Sequence, residues 1–200
     1  AIGTDVDMQD ADILDATGLV VTPGLIDMHV HLRQPGQSAK ETIESGTKAA
    51  AAGGFTRVAT MPNTKPVIDS AIIVDGLKYK IADEGVVKVD IIGSLSKGLE
   101  GKELSSMGGM AKAGVVAFSD DGRYVQNCDF MRKAMEYAGM FGKIVIDHCE
   151  DADLIEGGHM HEGVVSHELG LKGRPAVAED IAVARDILLA EVTGTPVHIA

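Results

Sequence analysis

Six short runs rich in valine and isoleucine alternate with longer segments of helical spacing, and this alternation constrains the fold more than any other feature. The runs are LIDMHVH, FTRVATMPN, KVDIIGSL, GVVAFSDD, KIVIDHCE and PVHIA. Most are too continuously apolar for a sheet with one face in water, so they predict buried parallel strands. Repeated strand-helix units of this kind fold as a doubly wound sheet or as a (β/α)₈ barrel.

Five segments between the strands predict helices: SAKETIESGTKAAAA, DSAIIVDGLKYKIADE, EGKELSSMGGMAKA, CDFMRKAMEYAGMFG and AVAEDIAVARDILLAEV. The first, fourth and fifth have clear amphipathic spacing, and several end at glycine, a usual helix stop. The third contains Gly108 and Gly109, so its helical pattern is the weakest. The glycine-containing segment that follows the fifth strand predicts a loop.

Polar residues at the carboxyl ends of five strands distinguish the two folds. They are His29, His31, Asn63, Asp120, Asp121, His148 and His198. In a barrel these ends converge on one mouth, where the active site is built, whereas a doubly wound sheet concentrates ligands at one switch point. The distribution therefore favours an α/β fold of the (β/α)₈ barrel type.

The segment DMHVHLRQPG places two histidines one residue apart on the first strand. Side chains alternate across a strand, so His29 and His31 project to the same side with Cα atoms about 7 Å apart. An isolated pair of this kind is more typical of a protein core. With Asp121, His148 and His198 at other strand ends, the pattern favours a metal site, because nitrogen and carboxylate ligands suit Zn²⁺ or a similar divalent ion.

Composition limits the partners of the chain. The formal net charge is −12, which argues against binding to nucleic acid or to an anionic membrane, so an anionic substrate must be held by local positive charge. No apolar run of membrane-spanning length and no signal peptide is recognisable, so we expect a cytoplasmic protein. The two cysteines cannot form a disulfide framework.

Five segments together resemble dihydroorotases, of the type close to the hydantoinases and allantoinases within the amidohydrolase superfamily. They are VTPGLIDMHVHLRQPG, TMPNT, AFSDDG, DHCED and PVHIA, in the order of that family, and the resemblance extends from about Asp15 to Ala200. It implies a metal-dependent hydrolase barrel with one or two Zn²⁺ ions. The implied reaction is reversible hydrolysis of L-dihydroorotate to N-carbamoyl-L-aspartate in pyrimidine biosynthesis.

The resemblance also implies a ligand set. His29 and His31 match ligands of a first ion, Asp121 matches a bridging carboxylate, and His148 and His198 match ligands of a second ion. Asp120 is the adjacent alternative in SDDG, and alternation lets only one of the two point inward. We prefer Asp121, and take Asp120 either as a residue that supports a metal ligand or as a structural residue. Hydantoinases resemble this pattern with a carboxylated lysine at the Asp121 position, so the carboxylate favours dihydroorotase.

Two further residues match family contacts to the substrate carboxylate. Arg33 offers a planar fork that pairs with a carboxylate, and Asn63 offers an amide donor. The alternatives are a solvated loop arginine and simple turn chemistry after a proline. Cys149 is expected to point away from the site, and three histidines of the predicted loop are not expected to bind metal: His159, His161 and His167.

The sequence resembles only part of such an enzyme. Six strand-helix units cannot close an eight-stranded barrel, and the family's catalytic aspartate follows the eighth strand, so no catalytic residue is expected before Ala200. We interpret residues 1–22 as a remnant of the small flanking β-sandwich and residues 23–200 as an incomplete barrel. Alone, this piece is expected to be poorly stable and inactive.

Two other functions remain open. One is a different cyclic amidohydrolase, an allantoinase or hydantoinase. The other is a non-catalytic dihydroorotase-like chain that supports aspartate transcarbamoylase; such chains lose metal ligands, whereas those expected within this length are all present. The implied partners are the small-molecule substrate, a second copy of the chain in a homodimer, and aspartate transcarbamoylase.

Overall fold

The computed structural model describes residues 12–200. In chain order the strands are β1 Leu25–Val30, β2 Phe55–Thr60, β3 Lys88–Gly93, β4 Ala117–Ser119, β5 Ile144–Asp147, β6 Met160–His161, β7 Gly173–Arg174 and β8 Val197–Ile199. Six of them form one parallel sheet in the order β1-β2-β3-β4-β5-β8. The six predicted strands are confirmed, and the sheet is part of a (β/α)₈ barrel.

The helices are α1 Ile43–Ala52, α2 Ala71–Glu84, α3 Met107–Ala113, α4 Cys128–Gly139, α5 Ala152–Ile155, α6 Val164–Glu168 and α7 Val177–Thr193. The Thr42 hydroxyl accepts from the Ser45 amide and Asn127 accepts from the Phe130 amide, so side-chain caps set where α1 and α4 begin. Within residues 12–200, no helix has the length and apolar character needed to span a membrane.

Alternation along the strands gives the sheet two apolar faces. Phe118 and Val145 lie in the larger cluster, which includes the buried residues of α1 to α4, whereas Ala117 and Ile146 lie in a smaller cluster on the opposite face. The smaller cluster occupies what is the interior of a barrel. Because alternation continues beyond β5, His148 falls on the interior face.

The third predicted helix is much shorter than its sequence pattern indicated. Only Met107–Ala113 is α-helical, and a 3₁₀ turn covers Lys97–Leu99. The Ser105 hydroxyl donates to the Ser94 carbonyl, and the Ser105 amide donates to the Leu95 carbonyl. These bonds hold the segment against the end of β3, so the prediction was wrong for its first half.

The loop predicted after β5 contains regular structure as well. It includes α5, α6 and a two-stranded parallel ribbon in which Met160 pairs with Gly173 and His161 with Arg174. Strands of two residues are too short to show a hydrophobic period, so the sequence could not predict them.

In residues 12–200 the six-stranded sheet has two edges, β1 and β8, and does not close into a barrel, as predicted. On β1, Leu25, Ile26 and Met28 are each more than half exposed. Residues 1–11 of the proposed sandwich remnant lie outside the described part of the chain. Residues 12–22 are mostly exposed, with a turn at 17–18, and their assignment to a β-sandwich stays a prediction.

Candidate metal centre

Four of the predicted strand-end residues meet on the interior face of the sheet. His29 lies on β1 and His31 directly follows it, Asp121 lies two residues beyond β4, and His148 directly follows β5. Parallel strands present their carboxyl ends at one edge, which explains how residues far apart in sequence converge.

Asp121 is at the centre of this cluster. Its Oδ1 lies 3.3 Å from His29 Nε2, and its Oδ2 lies 3.4 Å from His31 Nε2. One ligand atom from each of the three residues lies within 4.8 Å of the others. His148 Nδ1 is 3.7 Å from the same Oδ1. A buried carboxylate thus faces three imidazoles, with Oδ1 toward His29 and His148 and Oδ2 toward His31.

Electrostatics favour the charged form of Asp121. Burial alone would raise its pKa, but the interaction with His148 and the charges of all three imidazoles outweigh burial and lower the pKa. The same carboxylate raises the pKa of His148. The cluster therefore stabilises positive charge next to Asp121, which is the property that a cation site requires.

Asn63, which follows β2, connects two members of the cluster. His31 Nδ1 donates to Asn63 Oδ1 over 2.9 Å, and Asn63 Nδ2 donates to Asp121 Oδ2 over 3.4 Å. This hydrogen bond at Nδ1 directs Nε2 of His31 toward Asp121. A Cβ on Gly122, which has φ of +81°, would lie 3.0 Å from Asn63 Nδ2, so this glycine leaves room for the amide.

His198 is on β8 and pairs in register with Ile146, two residues before His148. Residues paired across parallel strands share a face, so His198 also points to the interior. Because its partner Ile146 precedes His148 by two residues, His198 lies farther than His148 from the carboxyl edge of the sheet. The structure therefore places His198 on the expected face, outside the compact group formed by the other four side chains.

Asp120 has a different role from its neighbour. It is 1% exposed, and its Oδ1 accepts from the amides of Leu95 and Ser96 over 2.8 and 3.0 Å, while Oδ2 accepts from the Ser96 hydroxyl. Burial raises the pKa of Asp120 despite these hydrogen bonds. The carboxylate thus ties the ends of β3 and β4 together, in agreement with the structural role expected for it.

Arg33 follows β1 by three residues and adopts φ of +60°, which is unusual for a residue with a side chain. Within residues 12–200 its guanidinium has no hydrogen-bond or ion-pair partner, and the residue is half-buried. Strained backbone conformations of this kind concentrate at ligand sites. Arg33 is therefore available to a ligand at the mouth.

Comparison with known proteins agrees with these observations. The sequence profile of the dihydro-orotase-like family matches residues 18–200. The chain belongs to this family. It is 58% identical to the dihydroorotase of Pelotomaculum thermopropionicum over 198 residues, which are 99% of the chain and 46% of that protein. It is 54% identical to the dihydroorotase of Ruminiclostridium cellulolyticum over 199 residues, 100% of the chain and 46% of that protein.

The fold agrees with the family assignment. The L-hydantoinase (dihydropyrimidinase) of Arthrobacter aurescens superposes with a TM-score of 0.77 at 21% identity, covering 96% of the chain and 45% of that structure. The chain spans about half the length of the curated relatives that it matches. The resemblance seen in the sequence motifs is thereby confirmed, as is the barrel fold.

The donor set fits a metal cofactor of such a family. Two imidazoles and one carboxylate offer ligand atoms within 4.8 Å of one another, and a third imidazole lies beside the same carboxylate. Nitrogen and oxygen donors in this number suit a divalent transition metal. The family and the cluster together indicate a metal cofactor.

A second polar cluster lies behind the centre, between β5 and α7, and the sequence did not predict it. The thiol of Cys149 lies 3.4 Å from Asp186 Oδ2, and Asp147 and Asp186 are both fully buried. The Arg185 guanidinium pairs with both carboxyl groups and stacks over the Tyr124 ring at 4.1 Å. A guanidinium already provides the positive charge here, so we interpret the cluster as a buried ion-pair network. The only sequence signal is a charged pair on the inner side of an amphipathic helix.

Four residues that were not expected to bind metal lie outside the group of ligand atoms around Asp121. Cys149 is buried on the helix face of the sheet, as alternation predicted. His159, His161 and His167 are exposed in the segment between β5 and α7. Of these three, His161 lines a cavity of about 330 Å³ that also includes His148, Glu150 and Arg174.

Proposed function

We propose that the protein acts as a dihydroorotase, hydrolysing L-dihydroorotate reversibly to N-carbamoyl-L-aspartate. The observation that carries this proposal is the placement of Asp121 between His29 and His31, within a chain of the dihydro-orotase-like family. Both relatives described above are named dihydroorotase. The hydantoinase reaction is the alternative, since the fold is shared with the Arthrobacter enzyme.

We propose Zn²⁺ as the metal, with His29, His31, Asp121, His148 and His198 as ligands to one or two ions. A bound divalent ion polarises a carbonyl oxygen and lowers the pKa of water toward neutrality. Asp121 has Oδ1 toward His29 and His148 and Oδ2 toward His31, so each oxygen would be available as a ligand atom. His198 lies farther from the carboxyl edge of the sheet than the other four residues. It can bind an ion only if its ring extends along the interior face toward His148.

Asn63 has two tasks in this proposal. Its carbonyl oxygen fixes the proton of His31 on Nδ1, which keeps Nε2 free as a ligand atom. Its amide nitrogen donates to Asp121 in this structure and can turn to a substrate carboxylate. The resemblance implies the second task, and the geometry favours the first.

The substrate carboxylate is assigned to Arg33. Its guanidinium is planar and permanently charged, and it recognises a carboxylate through two parallel hydrogen bonds. The overall charge of −12 makes such a local cation necessary for binding an anion. The carboxylate that transfers the proton to the leaving nitrogen is proposed to follow the last strand of the closed family barrel, which is not one of the six sheet strands described above.

Other expectations from the resemblance stay proposals. We place the enzyme in the cytoplasm, as a homodimer that also associates with aspartate transcarbamoylase. Size-exclusion chromatography of the full-length protein, with and without that enzyme, tests both associations.

Replacing Arg33 by lysine is expected to lower kcat/KM for dihydroorotate about 10- to 100-fold, because a charge-assisted hydrogen bond of this type contributes roughly 1.5–3 kcal/mol. Metal content should not change. Steady-state kinetics of the full-length protein on dihydroorotate, hydantoin and allantoin measure both points. Arg132→Lys on the exposed face of α4 is the matched control.

An unchanged kcat/KM in the Arg33→Lys variant would remove Arg33 from the substrate site. Faster wild-type turnover of hydantoin or allantoin than of dihydroorotate would replace the proposed reaction by the alternative one.

A further inference from the structure

We propose that Glu150 and Arg174 form a brace that orients His148 toward the metal centre. The inference rests on the proposed function, in which His148 is a metal ligand. It assigns a positioning role to two residues and to the β6–β7 ribbon, whose presence the sequence pattern did not predict.

The His148 ring lies between two carboxylates. Nδ1 is 3.7 Å from Asp121 Oδ1, and on the opposite side Nε2 is 3.6 Å from Glu150 Oε2. A carboxylate beside one ring nitrogen favours the proton on that nitrogen and leaves the other nitrogen as the ligand atom. Glu150 therefore holds the ring with Nδ1 toward Asp121, so that Nδ1 is the ligand atom for an ion bound there.

Arg174 holds Glu150 through the oxygen that does not face His148. Arg174 Nη1 lies 3.0 Å from Glu150 Oε1, and Arg174 Nε donates to the Gly158 carbonyl over 3.0 Å. One guanidinium nitrogen of Arg174 thus contacts the carboxylate, and another donates to the backbone. The carboxylate is 30% exposed and the guanidinium 46% exposed, so this pair contributes more to geometry than to stability.

Two glycines leave space for close packing of the β6–β7 ribbon and of the Arg174 side chain. A Cβ on Gly158 would lie 2.5 Å from Arg174 Cγ, and a Cβ on Gly173 would lie 2.4 Å from the Cα of Glu162. Side chains at either glycine would separate β6 from β7 or displace Arg174. The two glycines, the register and the Gly158 hydrogen bond together fix the base of the arginine side chain.

The chain Arg174–Glu150–His148–Asp121 therefore connects the segment after β5 to the centre. Outer carboxylates of this type typically change metal affinity by about 10- to 100-fold when they are removed. Because Arg174 acts through Glu150, the effects of the two residues should not add.

The test uses the full-length protein and Zn²⁺ alone, with a competing chelator to measure the zinc dissociation constants. Glu150→Gln and Arg174→Gln are each expected to weaken the ion held by His148 about 10- to 100-fold. The double variant should be no weaker than Glu150→Gln, and Arg174→Lys should be intermediate. Glu168→Gln on α6 and Lys172→Gln beside β7 are matched controls that should bind zinc as the wild type does.

A second readout follows the ring itself. In the zinc-loaded protein, ¹⁵N chemical shifts of the His148 ring should show zinc on Nδ1 and the proton on Nε2, and Glu150→Gln should change them. Zinc affinities and ring shifts equal to those of the controls would overturn the brace. A wild type that binds no zinc would instead overturn the proposed function, so the two failures are distinguishable.

Discussion

The Asp121→Asn variant is expected to lose the zinc held between His29 and His31, and to lose at least about a thousandfold in kcat/KM, since a catalytic ion supplies several kcal/mol of transition-state stabilisation. Asparagine keeps the shape of the side chain but has one acceptor oxygen and no charge. Both oxygens of Asp121 face an imidazole, so neither can be replaced by an amide nitrogen. Elemental analysis and dihydroorotate kinetics on the full-length protein measure the effect.

Asp120→Asn is the matched control, because Asp120 is adjacent in sequence and is also buried. Its carboxylate accepts from Leu95 and Ser96 and does not face the histidines, so we expect a loss of about 1–3 kcal/mol in the free energy of unfolding with zinc retained. The reverse outcome, with zinc lost from Asp120→Asn and kept by Asp121→Asn, would exchange the roles of the two residues.

The Arg185→Met variant is expected to lose about 3–5 kcal/mol in the free energy of unfolding, because it leaves a buried carboxylate without its partner. Arg185 is 12% exposed, and Asp147 and Asp186 are fully buried. Burial and the neighbouring Asp186 raise the pKa of Asp147 to about 9, so Arg185 compensates the negative charge of this buried pair of carboxyl groups. Arg185 also donates to the Val125 carbonyl and stacks on Tyr124, which joins α7 to the loop after β4.

Urea denaturation of the full-length protein measures this loss, and the double variant Arg185→Met/Asp186→Asn is its control. Removing both charges should restore most of the lost stability, since replacing a whole buried pair is often neutral. If the double variant is as unstable as the single one, the packing of the arginine side chain matters and the charge does not.

Much of the centre follows from the sequence because two simple rules determine it. Alternation along a strand puts His29 and His31 on one side and separates Asp121 from Asp120. Parallel strands with helical crossovers bring their carboxyl ends to one edge, which places His148 beside Asp121 although 26 residues lie between them in the sequence. The first rule depends only on neighbouring residues and the second only on the fold class, so both can be applied to a single sequence.

The features that the sequence did not predict depend on tertiary packing. The contact between Glu150 and Arg174 requires the β6–β7 ribbon, whose strands of two residues leave no period to detect. The Arg185 network requires the register of α7 against β5, which helical spacing alone does not specify. Asn63 was predicted to bind substrate. Its contacts with His31 and Asp121 were not predicted, because they depend on how far each of three strands extends toward the mouth.

The central claim is that the cluster around Asp121 is the metal centre of a dihydroorotase. The most direct test strips the full-length protein with a chelator, reloads it with Zn²⁺, and measures zinc content and dihydroorotate hydrolysis on the same samples, with a His29→Ala/His31→Ala variant alongside. We predict that stripping abolishes hydrolysis, that zinc restores it in the wild type, and that the variant takes up at least one equivalent less and stays inactive. Full zinc content in the variant, or unchanged hydrolysis by the stripped wild type, would contradict the claim.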